Sequence, residues 1–349
     1  MKHLGDGFEK LFFAHQAEPG LISVIIPVYK DSSGLRKTLA SLKSQERLNQ
    51  YYEVIVAIDG PDQDLLAICK SFKIKAVVIN PNCGSYYARN RAVERSKGEY
   101  LAFTDADVCA RPDWLDQGFN YLQEADYVAG QVMIDRAAVN GSAHYFELKT
   151  AFPVKKHLEE EHFGPTANLF VRRRVLEQVG GFDSRFRYGG DNEFGDRVYR
   201  ADIFKQIYGS GAVVLHPPRS FWAVVEKRRR GMQAMRDRYL FYPQRYPGYS
   251  TARVFFKTFL PCTRETIAPV VAKQTTGRFL FFFFFCWLIK VFSGISFFIK
   301  GLTIVGTDTI ILPFLLILSN SERKKSGSFS SEICSTTSIA TTISNLPSN

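Results

Sequence analysis

The sequence predicts an α/β fold in which a doubly wound, mostly parallel sheet is flanked by helices and followed by C-terminal hydrophobic helices. Three observations predict it: apolar, β-branched runs alternate with helical segments early in the chain, polar residues follow the ends of those runs, and a long apolar stretch begins at residue 279. With 349 residues, 46% of them hydrophobic, the chain is long enough for a folded protein with a substantial core.

The first elements alternate in the order strand, helix, strand, helix, strand. LISVIIPVY, Leu21–Tyr29, is typical of a buried parallel strand whose carboxyl end Pro27 marks. The next segment places Leu35, Leu39 and Leu42 at helical spacing. EVIVAID is the second strand, DLLAICKSF a helix and KAVVIN the third strand. This order predicts a parallel sheet.

The pattern is less regular further along. RPDWLDQGFNYLQ is typical of a helix and DYVAGQVMI of a strand. NLFVRRRVLEQVGGF combines a short strand with a helix that Gly180 and Gly181 end. GGDNEFGDRV places Asp191 and Glu193 at the start of a helix, where acidic residues are common because the helix dipole favours them.

The stretch FTDADV carries two carboxylates directly after a buried-looking run. Asp105 and Asp107 are two residues apart, so in an extended segment their side chains point to the same side and can converge on a divalent cation that carries a phosphate. Tyr29, Asp59 and Asp105 each lie at or just past a strand end, where open α/β sheets bind ligands. The alternatives are a solvated loop or helix cap for the acidic pair, and a turn residue for Asp59.

Bulk properties restrict the partners. The net charge of +11 favours an anionic partner such as a nucleotide-linked substrate, an acidic membrane face or nucleic acid. The six cysteines show neither a C-x-x-C pair nor zinc-finger spacing, which favours a reducing compartment. The N-terminus lacks the apolar core of a signal peptide, so we expect the first part of the chain in the cytoplasm.

Two apolar runs follow residue 278. Residues 279–299 are apolar apart from Lys290 and a few small residues, and residues 302–318 contain Asp308 and Pro313. We expect a membrane-associated hairpin; two crossings, interfacial or re-entrant helices, and a buried soluble core remain open. Residues 321–349 are rich in Ser and Thr and predict a disordered tail.

The basic run KRRRG, Lys227–Gly231, lies within what reads as one amphipathic helix. Its basic side is able to face a donor phosphate or anionic lipid, or to be an ordinary solvated face. Nucleic acid is disfavoured, because no nucleic-acid-binding fold accompanies the run.

Five segments in order and spacing resemble the family 2 glycosyltransferases: SVIIPVYKD, VIVAIDGPDQD, NCGSYYARNRAVERSKGEYLAFTDADV, ANLFVRRRVLEQVGGFD and GGDNEFGDRV. The resemblance covers about residues 20–220. It implies the GT-A fold, a nucleotide-sugar donor and Mn²⁺ or Mg²⁺ as cofactor. It also implies inversion at the sugar carbon.

The resemblance assigns roles to individual residues. Asp191 matches the catalytic general base, and Asp107 the metal ligand. The donor side comprises Pro27, Tyr29, Asp59, Arg89 and Asp105; Asp105 and His216 are further metal candidates, and Asn168 and Glu193 are acceptor-side candidates. Lys30 in PVYKD, the Gly-Pro after Asp59 and Gly190 before Asp191 depart from the family pattern.

The predicted organisation is an N-terminal extension, 1–20, and a catalytic domain, 21–250, followed by a linker and apolar hairpin, 251–320. The catalytic domain divides into a nucleotide-binding half, 21–130, and an acceptor-binding half, 131–250. We expect sugar transfer to a hydroxyl of a lipid-linked or polysaccharide acceptor, with the catalytic domain on the cytoplasmic side of a membrane. One alternative is a catalytically inactive, membrane-bound protein that binds a nucleotide sugar or acts as a scaffold. The other is a sugar-nucleotide nucleotidyltransferase, but such an enzyme needs a Gly-rich loop after the first strand, and the sequence has only Gly34 there.

Overall fold

The computed structural model describes residues 10–45, 52–248, 250, 254, 260, 276–304 and 341–343. The chain divides into two compact units. The first contains Met1–Val139, Ala151–Pro218 and Thr336–Asn349, and the second contains Asn140–Thr150 and Arg219–Ser335.

A single mixed sheet forms the centre of the first unit. Its strands are β1 Glu18–Val28, β2 Tyr52–Asp59, β3 Lys75–Ile79, β4 Gly98–Thr104, β5 Cys109–Ala110, β6 Tyr127–Ile134, β7 Asn168–Arg172, β8 Gln206–His216 and β9 Thr341–Ile343. Their order across the described sheet is β5-β8-β6-β7-β4-β1-β2-β3-β9.

The predicted parallel arrangement is confirmed for the first four strands, where β1 pairs in parallel with both β2 and β4, and β2 with β3. The rest of the sheet is mixed. Strand β7 runs antiparallel to both β4 and β6, whereas β6 and β8 are parallel. The prediction of a mostly parallel sheet is therefore too simple, because β7 runs antiparallel to both of its neighbours in the middle of the sheet.

Strand β1 shows why the apolar runs become central strands. From Ile22 to Val28 every side chain is buried, since helices cover both faces of the sheet. Pro27 pairs with Ala57 of β2 and lies beyond the last residue pair between β1 and β4, where a missing N–H is tolerated.

Helices cover the sheet of the first unit. They are α1 Ser32–Lys43, α2 Gln63–Ser71, α3 Ser85–Glu94, α4 Trp114–Glu124, α6 Val154–Glu161, α7 Arg173–Val179 and α8 Gly190–Arg200, with a 3₁₀ turn at Arg136–Ala138. Helix α1 begins where the Asp31 side chain accepts the Gly34 N–H, and it buries the predicted leucine stripe. Helix α7 ends at Gly180, as predicted, with φ of 82°.

The second unit contains the helices α5 Gly141–Thr150, α9 Phe221–Phe241 and α10 Thr276–Ile304. Its core is formed by Phe146 of α5, Val224 and Val225 of α9, and Cys286 and Ile289 of α10. The single helix expected around the basic run is confirmed as α9.

The first predicted apolar run forms most of α10. Within the part of the chain that the structure describes, no helix is sufficiently long and apolar to cross a membrane. The second run lies outside the described residues from position 305 onward. Of the Ser- and Thr-rich tail, only Thr341–Ile343 is described, as an edge strand antiparallel to β3.

Candidate active site at the carboxyl ends of the strands

The predicted site residues that end or follow β1, β2 and β4 lie at one edge of the sheet. Tyr29 follows β1, Asp59 ends β2, and Asp105 and Asp107 follow β4. Because these three strands are parallel, their carboxyl ends share an edge. Helix α3 begins at the same edge and supplies several of the contacts described below.

Asp59 is buried and anchors the start of α3. Its carboxylate accepts the N–H groups of Cys83 and Gly84 at 2.7 and 2.8 Å, and the side-chain amide of Asn82 at 2.7 Å. Burial raises the pKa of this carboxyl, and the backbone donors and the nearby Arg187 partly offset the rise. Asp59 therefore lies behind the surface and shapes the loop that a ligand would meet.

A cleft of about 250 Å³ opens beside this loop. Tyr29 and Lys30 line one part of it, and Gly60 and the segment from Asn80 to Asn82 line another. Gly60 has φ of +110°, and a Cβ there would lie 3.3 Å from the exposed ring of Tyr29. An open aromatic ring beside a glycine leaves room for a flat heterocycle to stack.

Arg89 of α3 holds Asp105. One guanidinium nitrogen donates to Asp105 Oδ1 at 2.6 Å; Arg89 is buried, whereas Asp105 is partly exposed. The buried Nε of Arg89 has no hydrogen-bond partner among the described residues. A buried guanidinium with a spare donor is suited to an anionic ligand.

Asp107 lies next to His216, the last residue of β8. Asp107 Oδ2 is 3.6 Å from Nε2 of the buried imidazole. Nδ1 lies 2.6 Å from the Pro217 carbonyl oxygen, which only accepts, so Nδ1 carries a proton. In the neutral ring Nε2 then presents its lone pair, as a metal-ligating histidine does.

These two side chains fit a divalent cation as two ligands from the protein. Among the described residues, no group of three or more His, Cys, Asp and Glu side chains is arranged to hold a metal. Mg²⁺ that is bound with phosphates usually takes its other ligands from the substrate and from water.

Asp191 lies in the first turn of α8 and contacts Tyr86 of α3. The Tyr86 hydroxyl donates to Asp191 Oδ1 at 3.0 Å. Burial raises the pKa of the Asp191 carboxyl; Tyr86, the charge of Arg89 and the N–H groups of Asn192 and Thr166 oppose the rise. A desolvated carboxylate with a raised pKa is a stronger base than one in water.

Tyr86 and Arg89 join the two carboxylates. They are three residues apart on α3 and therefore share a face, and the guanidinium carbon lies 5.6 Å from the Tyr86 ring centroid. A continuous series of contacts runs from Asp105 through Arg89 and Tyr86 to Asp191. The sequence alone gave Tyr86 no role, because its partner is 105 residues away and no local pattern marks the pair.

Asn168 does not lie at an acceptor surface. It is fully buried, its side-chain oxygen accepts the indole N–H of Trp114 at 2.8 Å, and its amide nitrogen donates to the carbonyls of Gln131 and Ala212. These bonds link β7 to α4, β6 and β8. The structure therefore replaces the predicted acceptor contact with a structural role.

Glu193 is likewise in the core. It forms a two-pronged ion pair with Arg197 one turn later, at 3.1 and 2.9 Å, and both side chains are buried. Arg197 also donates to backbone carbonyls at Val179, Gly180 and Gly181. The pair fastens α8 to the end of α7, so Glu193 is not available to an acceptor.

Comparison with known proteins identifies the arrangement. The sequence profile of Glycosyl transferase family 2 matches residues 23–180. The glycosyltransferase AglE of Haloferax volcanii is 30% identical over 216 residues, which cover 60% of this chain and 71% of AglE. The chain belongs to glycosyltransferase family 2. The matched segment contains strands β2 to β7, the cleft loop and the acidic pair of this transferase.

Two further similarities concern the extent and the fold of the transferase. Chondroitin synthase of Escherichia coli is 27% identical over 242 residues, and the match spans 35% of that longer protein. The structure of the mannosyltransferase PcManGT from Pyrobaculum calidifontis, in complex with GDP-Man and Mn²⁺, has a TM-score of 0.50 at 14% identity and covers 91% of this chain and 83% of its own. At this identity the likeness concerns the fold, which is GT-A-like.

Proposed function

We propose that this transferase moves a sugar, with inversion, from a nucleoside diphosphate donor to a hydroxyl of a lipid-linked or polysaccharide acceptor. The observation that carries the proposal is the contact series from Asp105 to Asp191. The series connects Arg89, whose guanidinium is suited to the donor diphosphate, with Asp191, whose carboxylate is suited to take a proton from the acceptor.

The donor binds at the strand ends. Its base stacks on Tyr29 in the cleft next to the loop that Asp59 anchors. Its diphosphate meets the buried guanidinium of Arg89, whose spare Nε donor supports this placement. The structure of PcManGT is a complex with GDP-Man, a donor of the same chemical class.

The reaction is a displacement at the anomeric carbon. The acceptor oxygen forms the new bond to that carbon as the bond to the donor phosphate oxygen breaks, and the nucleoside diphosphate leaves with the electron pair. Asp191 takes the proton from the acceptor hydroxyl. A single base on the side opposite to the leaving group gives inversion.

Asp107 and His216 would hold the divalent metal, Mn²⁺ or Mg²⁺. When bound, the cation stabilises the negative charge that develops on the departing diphosphate. The tautomer that Pro217 imposes on His216 supports this role, because in the neutral ring it leaves the lone pair on Nε2, the nitrogen that lies 3.6 Å from Asp107 Oδ2.

We also propose that the enzyme works at a membrane with its catalytic unit in the cytoplasm. The apolar sequence of α10 supports this setting, and a lipid-linked acceptor would be found there. The match covers only 35% of chondroitin synthase. The acceptor is therefore proposed from this chain's own features and not from that relative's product.

The decisive experiment compares donor binding with turnover. Purified protein is screened against nucleotide sugars for nucleoside diphosphate release, with and without Mn²⁺, alongside Asp191→Asn. We expect release from one donor class, and we expect the variant to bind that donor with at most a small change in affinity while its turnover falls by at least about 10²-fold. Asp202→Asn, an exposed carboxylate beyond the end of α8, is the matched control and should retain activity.

Binding without turnover in the unmodified protein would indicate the inactive scaffold. Release of inorganic pyrophosphate from a nucleoside triphosphate and a sugar phosphate would indicate a nucleotidyltransferase. Equal turnover by the Asp191→Asn variant would remove Asp191 from the mechanism.

A further inference from the structure

The positive charge of the chain is concentrated in one stretch. Residues 219–304 contain fifteen Lys and Arg against three Asp and Glu, whereas residues 1–218 contain 27 against 28. The predicted donor residues all lie in the nearly neutral stretch. The excess charge therefore has no explanation in donor binding and calls for a second anionic partner.

The same stretch carries an exposed apolar face. Helix α10 buries Cys286 and Ile289 against α9, but its opposite side exposes Phe284, Phe292 and Ile295 by 55%, 38% and 39%. A helix at the surface of a soluble protein normally presents polar residues there. In residues 284–298, the part of α10 whose side chains the structure describes, the three exposed residues are therefore all apolar.

Trp222 of α9 extends this face. It is 64% exposed, and its ring centroid lies 5.4 Å from that of Phe292. Two adjacent helices thus form one surface, the aromatic patch, which consists of Trp222, Phe284, Phe292 and Ile295. Tryptophan and phenylalanine in such a position are typical of side chains that insert at the boundary between water and lipid.

Exposed cations accompany the patch. Arg230 lies eight residues after Trp222, slightly more than two helical turns, and so occupies a neighbouring side of α9. It is largely exposed, and its ion pair with Glu226 is long, at 3.3 Å, and solvated. Arg228 precedes it on the same helix and is partly exposed, whereas Lys227 is paired with the buried Glu147 at 3.3 Å. Helix α9 therefore offers Arg228 and Arg230 to a negatively charged surface.

We propose that the aromatic patch and the basic side of α9 dock the second unit on a bilayer that contains anionic lipids. The inference deepens the membrane setting of the proposed function, on which it rests. The patch contributes apolar burial and the cations attract the headgroups; stable attachment usually needs two such signals together. A second copy of the chain would match the apolar face but would bring the same positive charge, so a lipid surface is favoured.

The test is flotation of the full chain with vesicles. One set contains phosphatidylcholine alone, and the other contains phosphatidylcholine with one-third phosphatidylglycerol. We expect binding to the second set that weakens as salt rises. Trp222→Ala with Phe292→Ala should lower vesicle affinity by about tenfold or more, and Arg228→Gln with Arg230→Gln by a similar factor.

Matched controls come from the first unit. Ile203→Ala removes an exposed apolar side chain there, and Lys155→Gln with Lys156→Gln removes two exposed charges. Both controls should bind vesicles as the unmodified protein does. The arginine variant changes one exposed and one partly exposed group, so it tests the proposal even if the aromatic variant fails to fold.

Three outcomes would overturn the inference: no binding of the full chain to anionic vesicles, equal loss in the controls, or unchanged vesicle binding with an altered oligomeric state in the aromatic variant. The last would assign the patch to a second copy.

Nucleoside diphosphate release is measured in parallel without vesicles, where the patch variants should be active. If the unmodified protein binds anionic vesicles but releases no nucleoside diphosphate from any nucleotide sugar, the proposed reaction is rejected and the docking surface is retained.

Discussion

The hydroxyl of Tyr86, in the first turn of α3, donates a 3.0 Å hydrogen bond to the carboxylate of Asp191, in the first turn of α8. Burial raises the pKa of Tyr86 well above its usual range, so this hydroxyl stays protonated and always acts as the donor. The bond therefore favours the ionised form of Asp191, which is the form that accepts a proton.

Removing this bond should change the pH dependence of transfer. Asp191 is active when ionised, so the rate falls as the pH drops through its pKa. Because the Tyr86 bond lowers this pKa, Tyr86→Phe should raise it and move the acid limb of kcat/KM to higher pH. The loss should be on the order of tenfold on the acid side and small at alkaline pH.

Tyr87→Phe is the control for this experiment. The Tyr87 hydroxyl is buried on the same helix and has no hydrogen-bond partner among the described residues. Its removal should leave the pH profile unchanged and should not lower stability. A shift of equal size in both variants would mean that the effect comes from repacking of α3 and not from the Asp191 bond.

The pair Asp107 and His216 predicts how metal dependence responds to mutation. Asp107→Asn and His216→Ala should each raise the Mn²⁺ concentration needed for half-maximal nucleoside diphosphate release by at least about tenfold, since each removes one of two protein ligands. Asp113→Asn alters an exposed carboxylate in the following loop and should have no effect. A metal titration that is unchanged in Asp107→Asn would contradict the assignment.

Much of the first half of the fold was accessible from sequence because its signals are local. The run in β1 and the leucine spacing of α1 depend on neighbours within one element. The common side expected for Asp105 and Asp107 stays a prediction, because it assumed an extended segment and residues 106–107 form a turn after β4. The reversal of β7 was not accessible, because a short apolar strand has the same composition in either direction. The Tyr86 contact with Asp191 was not accessible either, since it joins two helices that only the folded sheet brings together.

Glu193 shows how a local rule misleads. An acidic residue in the first turn of a helix is usually exposed, but here Arg197 lies one turn later and the helix packs that face inward. Glu193→Gln should therefore lower stability by about 3–5 kcal/mol, because it leaves the Arg197 charge buried and uncompensated. Thermal unfolding checks this, with the exposed Glu159→Gln as control. A stable variant with a raised acceptor KM would restore the acceptor role.

Gly84 predicts how the cleft loop depends on its backbone. It has φ of +102°, and a Cβ there would lie 2.8 Å from a guanidinium nitrogen of Arg187, while its N–H donates to Asp59. Gly84→Ala should lower stability by about 1–3 kcal/mol through backbone strain, and it should raise the donor KM more than it changes kcat, because the loop lines the cleft. Gly20 also has positive φ, but open space surrounds it, so Gly20→Ala should show strain alone and leave the donor KM unchanged. Calorimetry and donor titration separate the two effects, and an unchanged donor KM in Gly84→Ala would place the base-binding loop elsewhere.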